Sequence, residues 1–152
     1  MRKILYILAI FALAACSSRE GSMFHNVGPK GWAYADTCEY RILEHAADTV
    51  QPTVADVAIA IRHTNTYEYA NIWLELTYST DGKLRVDTFN IKLADDFGHW
   101  LGKGVGVGYQ LVNTVLHSMP LDTVSPLTMR HIMRADTLEG IEQVGIIFKP
   151  RQ

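Results

Sequence analysis

The chain has 152 residues, 48% of them hydrophobic and 20% charged, with a formal net charge of −2. That length suits a single domain large enough to bury its own core. The mild acidity excludes the basic face that nucleic-acid binding demands.

Arg2 and Lys3 form a positive start, Ile4 to Ala15 is an uncharged apolar run, and Ala14 and Ala15 supply small residues at a cleavage site. This is the layout of a secretory signal. The run is too short for a membrane span, which needs roughly twenty residues. The next residue is Cys16, and Leu13-Ala14-Ala15-Cys16 resembles a bacterial lipobox. Cleavage before Cys16 with a diacylglycerol on its thiol is therefore expected, and two acyl chains suffice for stable anchoring. An ordinary signal peptide cut near Ala15 is the plainer alternative, but it predicts no particular residue at position 16. The predicted organisation is signal peptide 1–15, lipidated cysteine and Gly/Ser-rich tether 16–31, and domain 32–152. Ser17, with only Glu20 as an acidic residue soon after, favours the periplasmic leaflet of the outer membrane. Cys38 is left without a partner for an internal disulfide and reads as a small buried hydrophobe.

From Asp36 onward the apolar period is two. Cys38, Tyr40 and Ile42 alternate with polar residues. Val57, Ile59 and Ile61 share a face beyond a break at 48–52. Tyr67 to Tyr78 is the longest strand candidate, with Ile72, Leu74, Leu76 and Tyr78 on one side and Asn71, Trp73, Glu75 and Thr77 on the other. Asp81-Gly82 is a strong hairpin signal. In the return strand, Val86 and Thr88 lie on one phase and Phe89, Ile91 and Leu93 on the other, which suggests a bulge or a strand that switches partners. A long loop from Ala94 to Gly104 precedes a glycine-alternating strand through Val105, Val107, Tyr109 and Leu111. After a break at Ser118–Pro126, Leu127, Met129, His131 and Met133 share a face, and Val144, Ile146 and Phe148 form the last strand. The expected fold is an all-β sandwich of about seven or eight mostly antiparallel strands, with a closed β-barrel as the alternative.

No chemistry-bearing pattern is complete. Gly104-Val105-Gly106-Val107-Gly108 lacks the third glycine and the following helix of a dinucleotide fingerprint. The six histidines show no metal-ligand spacing. Asp95-Asp96 is a weak calcium signal without further acidic positions. Glu75, Asp87 and Asp96 suit a glycosidase pair only if the fold brings two of them together. With no nucleophile–base or acid–base set visible, no catalytic residues, cofactor, metal or small-molecule substrate are expected. Trp73, on the polar phase of its strand, is the best surface contact among Trp32, Trp73 and Trp100. Four Asp-Thr-apolar triplets, at Asp36, Asp48, Asp122 and Asp136, resemble a short O-glycosylation acceptor, although turn-then-strand chemistry also accounts for them.

One set of residues carries a family resemblance. Trp32 and Asp36 are followed by Arg62 and Tyr67-x-Tyr69-x-Asn71-Ile72-Trp73-Leu74. Then come Leu93-Ala94-Asp95, Gly98-x-Trp100-Leu101-Gly102-x-Gly104, Met133-Arg134, and Leu138-x-Gly140-Ile141-x-x-Val144-Gly145. In order and spacing the pattern resembles GldH-type gliding-motility lipoproteins over nearly all of the mature chain. The resemblance implies an outer-membrane lipoprotein tied to the gliding and type IX secretion machinery. Its partners would be the membrane, through the anchor, and other envelope lipoproteins. The candidate partner surface is the Asp95–Gly104 loop with Trp100, together with the Trp73 face. The competing class is a lipid-anchored glycan-binding module, for which exposed tryptophans would argue.

Overall fold

The computed structural model describes residues 20–42, 53–105, 107–122 and 125–151. The expected signal, Cys16 and the break at 48–52 lie outside the described residues. In chain order the strands are β1 (Gly21–Asn26), β2 (Trp32–Ala33), β3 (Cys38–Tyr40), β4 (Thr53–Thr64), β5 (Asn71–Thr80), β6 (Lys83–Lys92), β7 (Lys103–Val105), β8 (Gly108–Leu121), β9 (Leu127–His131), β10 (Thr137–Leu138) and β11 (Ile141–Pro150). There is no α-helix among the described residues.

Among the described residues nine strands form one sheet in the order β1-β11-β4-β8-β5-β9-β3, with β6 added to β5 and β7 to β8; β2 and β10 form a separate two-stranded ribbon. The sheet has two halves. One is β1-β11-β4-β8, the other β3-β9-β5-β6, and they are joined where Thr80 of β5 pairs with Leu121 of β8. At the opposite edges, His25 Nε2 lies 2.7 Å from the Glu39 carbonyl oxygen, and the His25 and Tyr40 rings meet edge-on at 4.9 Å. Tyr40 also donates its hydroxyl proton across the core to the Val144 carbonyl at 3.1 Å. The two halves thus belong to one sheet folded back on itself. The all-β expectation holds, and the nearly closed sheet corresponds to the barrel alternative rather than to two independent sheets.

Alternation explains the core. Val57, Ile59 and Ile61 of β4 point inward with Ile72, Leu74 and Leu76 of β5, Leu127 and Met129 of β9, and Val144, Ile146 and Phe148 of β11. Each such side chain contributes about 1.5–3 kcal/mol by leaving water. Cys38 is buried as expected, and burial pushes its thiol pKa up. The Asp81-Gly82 turn closes a two-residue hairpin with φ of 50° and 69°, the left-handed pair that the twist of the flanking strands demands.

Four local expectations change. The chain expected as flexible tether is already strand from Gly21, paired with β11 over Gly21↔Phe148 to Asn26↔Gln143. Glycine and serine suggested a linker there, but an edge strand needs only one neighbour and little apolar content. The bulge expected in the return strand is missing: β5 and β6 pair without interruption from Thr80↔Lys83 to Asn71↔Lys92. Irregularities fall instead between β4 and β8, near Val57. The glycine-alternating run is not one strand, because the chain reverses so that Val105 pairs with Gly108. Finally, β8 continues through Ser118 and Pro120 to Leu121, where a break was expected.

Candidate functional site

The sheet has two ends. Gly21, Thr53, the Asp81-Gly82 turn, Leu121 and Pro150 mark one; Asn26, Thr64, Asn71, Gly108 and Ile141 mark the other. All three residues singled out from the sequence as a partner surface (Trp73, Asp95 and Trp100) sit toward the second end.

The loop after β6 is tied down by its backbone. Leu93 and Ala94 both donate N–H to the Ala70 carbonyl, at 2.7 and 2.9 Å, and Leu101 N–H donates to the Leu93 carbonyl at 2.7 Å. Asp95 organises the loop tip. Its Oδ1 accepts from the backbone N–H groups of Phe97 (2.9 Å) and His99 (2.8 Å), and Oδ2 lies 3.1 Å from His99 Nδ1. The hydrogen bond from the His99 backbone, foremost among these, holds the Asp95 carboxyl below the usual range. Asp95 is therefore committed to loop structure. Its neighbour Asp96 takes the Lys92 ammonium at 2.6 Å. Phe97, at the tip, is 87% exposed.

Trp100 turns the other way. Its ring meets buried His63 edge-on at 4.5 Å and lies 6.1 Å from Tyr109, closing this end of the barrel. His63 donates Nδ1–H to the Thr64 carbonyl at 3.1 Å, which leaves its Nε2 lone pair inside the protein without a partner among the described residues. Burial pulls the His63 pKa down. His131 repeats the arrangement: Nε2–H donates to the Trp32 carbonyl at 3.1 Å, Nδ1 is buried and unpartnered among the described residues, and burial lowers its pKa.

Trp73 alone of the three tryptophans is substantially exposed, at 42%, whereas Trp32 is 2% exposed under the core. It projects from the outer face of β5, since its neighbours Ile72 and Leu74 point inward. Trp73 N–H donates to Met133 Sδ at 3.3 Å, and its carbonyl accepts from Ile132 N–H at 2.9 Å. These bonds seat the 132–134 segment beside the indole. The result is an open groove of about 530 Å³ lined by Tyr69, Asn71, Trp73, Ile132, Met133 and Arg134. Its lining is mainly apolar side chain with one guanidinium at the rim, suited to packing against another protein surface.

Trp73 and Trp100 therefore share an end of the molecule but lie on opposite faces of the sheet. Periodicity placed Trp73 correctly; it missed Tyr69, Met133 and Arg134, although all three stand in the residue pattern described above. The proposed acid pair does not converge. Glu75 lies on the outer face, bonded to Arg130 Nε–H at 2.7 Å, while Asp87 lies opposite Leu76 on the inner phase and accepts the Tyr78 hydroxyl at 2.6 Å. No three His, Cys, Asp or Glu side chains gather to hold a metal among the described residues.

Comparison with curated proteins gives no significant match. Comparison with family models does: the model described as GldH lipoprotein matches residues 22–147, from β1 to near the end of β11. That match covers most of the chain and nearly all of the folded sheet, so the protein belongs to the GldH lipoprotein family.

Proposed function

We propose that this protein is a non-catalytic component of the envelope machinery linked to gliding motility and type IX secretion. It is anchored by a lipid on Cys16 in the periplasmic leaflet of the outer membrane, and it holds a partner lipoprotein rather than turning over a substrate. The observation that carries this reading is the family match, which runs from β1 into β11. The groove beside Trp73 supports it, because an exposed indole with Met133 and Tyr69 is the kind of anchor that dominates protein interfaces.

The test is capture of the lipidated protein from detergent-solubilised outer membrane, read by mass spectrometry. Another motility or secretion lipoprotein is expected in stoichiometric amount, and Trp73→Ala should lose it while the strand signature is kept. Recovery of the protein alone, with sugar binding by the same groove, would replace this reading with the glycan-binding one. Cys16→Ser should move the protein from the membrane fraction to the soluble fraction.

A further inference from the structure

We propose that β6 is a self-association edge, through which two copies of this chain pair antiparallel about a two-fold axis at Val86. Sheet edges are templates for further pairing, and proteins protect them with short strands, bulges, prolines, charged side chains or cover. The other edges here show such protection. β3 and β7 have three residues each. The free side of β1 is closed onto β3 by the His25–Glu39 contact. β8 is bent by register shifts, carries a left-handed residue at Ser118 and contains Pro120. β6 has only charges, Lys83, Arg85, Asp87 and Lys92, and of these Arg85 and Asp87 are opposite in sign and two residues apart, so a second copy of the same strand can neutralise them. It is ten residues long, has no proline, and runs in unbroken register with β5, its sole strand partner among the described residues. Leu84 and Val86 on this strand are 71% and 55% exposed.

The turn fixes which groups are free. In a two-residue hairpin the flanking pair, here Thr80 and Lys83, is hydrogen-bonded. Lys83, Arg85, Asp87, Phe89 and Ile91 therefore direct their backbone groups toward β5. Leu84, Val86, Thr88 and Asn90 direct theirs outward. A second copy must match outward residues with outward residues, which leaves few two-fold registers. An axis at Arg85 sets Arg85 against itself, and an axis at Asp87 sets Asp87 against itself; like charges directly opposite are destabilising. An axis at Val86 sets Arg85 of each copy opposite Asp87 of the other, twice, and pairs Leu84 with Thr88 and Val86 with Val86. The Arg85 axis also sets Lys83 opposite Asp87 and Leu84 opposite Val86 but keeps Arg85 against itself, so the Val86 register alone combines opposite-charge pairs and apolar contact with no like charges opposed.

The experiment uses the full lipidated chain in detergent, with mass measured by sedimentation at micromolar concentration. A dimer is expected. Arg85→Asp should give a monomer with unchanged circular dichroism, and Arg85→Asp/Asp87→Arg should restore the dimer. Val86→Cys should cross-link to itself through a spacer suited to the roughly 5.5 Å of a hydrogen-bonded pair. Leu84→Cys, about 13 Å from its counterpart at strand rise, should not. A monomeric wild-type protein, a dimer indifferent to Arg85→Asp, or cross-linking of Val86→Cys to a different protein would each overturn the proposal.

Discussion

β4 and β6 are strands of similar length, 12 and 10 residues, with opposite fates. β4 lies between β11 and β8, and Val57, Ile59, Ile61 and His63 are wholly buried on its inner phase, with Ala58 and Ala60 nearly so on the other. Among the described residues β6 has one neighbouring strand, and apart from Asp87, Phe89 and Ile91 its residues face water. Both strands carry β-branched residues (valine, isoleucine and threonine), so intrinsic propensity does not separate them. Position in the sheet does, because burial comes from neighbours on each side and from the facing half.

Core truncation should break the comparison hardest. Leu74→Ala or Ile61→Ala, at sites with no exposure, should cost about 2–5 kcal/mol by urea unfolding. Leu84→Ala on β6 should stay within about 0.5 kcal/mol. An equal loss for Leu84→Ala would mean that β6 is covered in the isolated protein. Gly140→Ala should follow. Gly140 has φ of +81°, and a methyl group there would run into the Tyr67 backbone. A loss above about 1 kcal/mol is expected, whereas Gly104→Ala, with open space around it, should be nearly neutral in the same assay.

Acid sharpens the contrast in a different way. His63 and His131 are neutral donors to carbonyls inside the core, and burial sets their folded pKa below the ordinary value of about 6.5. Between the folded and unfolded pKa the unfolded chain binds more protons, so stability rises with pH there. The histidine contribution should be complete above about 6.5 and drain away as pH falls below it, before carboxylates titrate. Urea midpoints across that range should fall in the wild type and fall less in His63→Gln. A midpoint flat down to the carboxylate range would show that neither buried imidazole resists protonation. The smallest effect belongs to the outer face: Arg130→Ala, breaking the partly exposed pair with Glu75, should change stability by no more than about 1 kcal/mol.

Much of the fold was legible because its inner strands obey strict alternation. Val57-x-Ile59-x-Ile61, Ile72-x-Leu74-x-Leu76 and Val144-x-Ile146-x-Phe148 each announce a buried phase, and Asp81-Gly82 announces the hairpin. Edge elements were not legible. β1 carries Gly21 and Ser22 and is held by β11, more than a hundred residues away in sequence. β6 shows apolar residues on both phases, Leu84 and Val86 on the outer face and Phe89 and Ile91 on the inner, which imitates a bulge. The same division runs through the candidate site. Trp73 could be oriented from its flanking residues alone. Trp100 sits in a loop without a period, and the rings that draw it inward, His63 and Tyr109, come from β4 and β8. Asp95 looked available because nothing local predicts that two backbone N–H groups will occupy it.

On the anchoring proposed at Cys16, the early start of β1 limits the height of the sheet above the bilayer. With the lipid on Cys16, at most five residue steps separate the anchor from the sheet at Gly21, a reach of about 17 Å even when fully drawn out. The Asp81-Gly82 turn, Leu121 and Pro150 then form the underside of a short pedestal, and β5 rises from Thr80 beside them to Asn71 at the top, about 30 Å higher at strand rise. The Trp73 groove rides near that top. With the strands upright on that anchor, a partner that meets the groove stands tens of ångströms into the aqueous compartment.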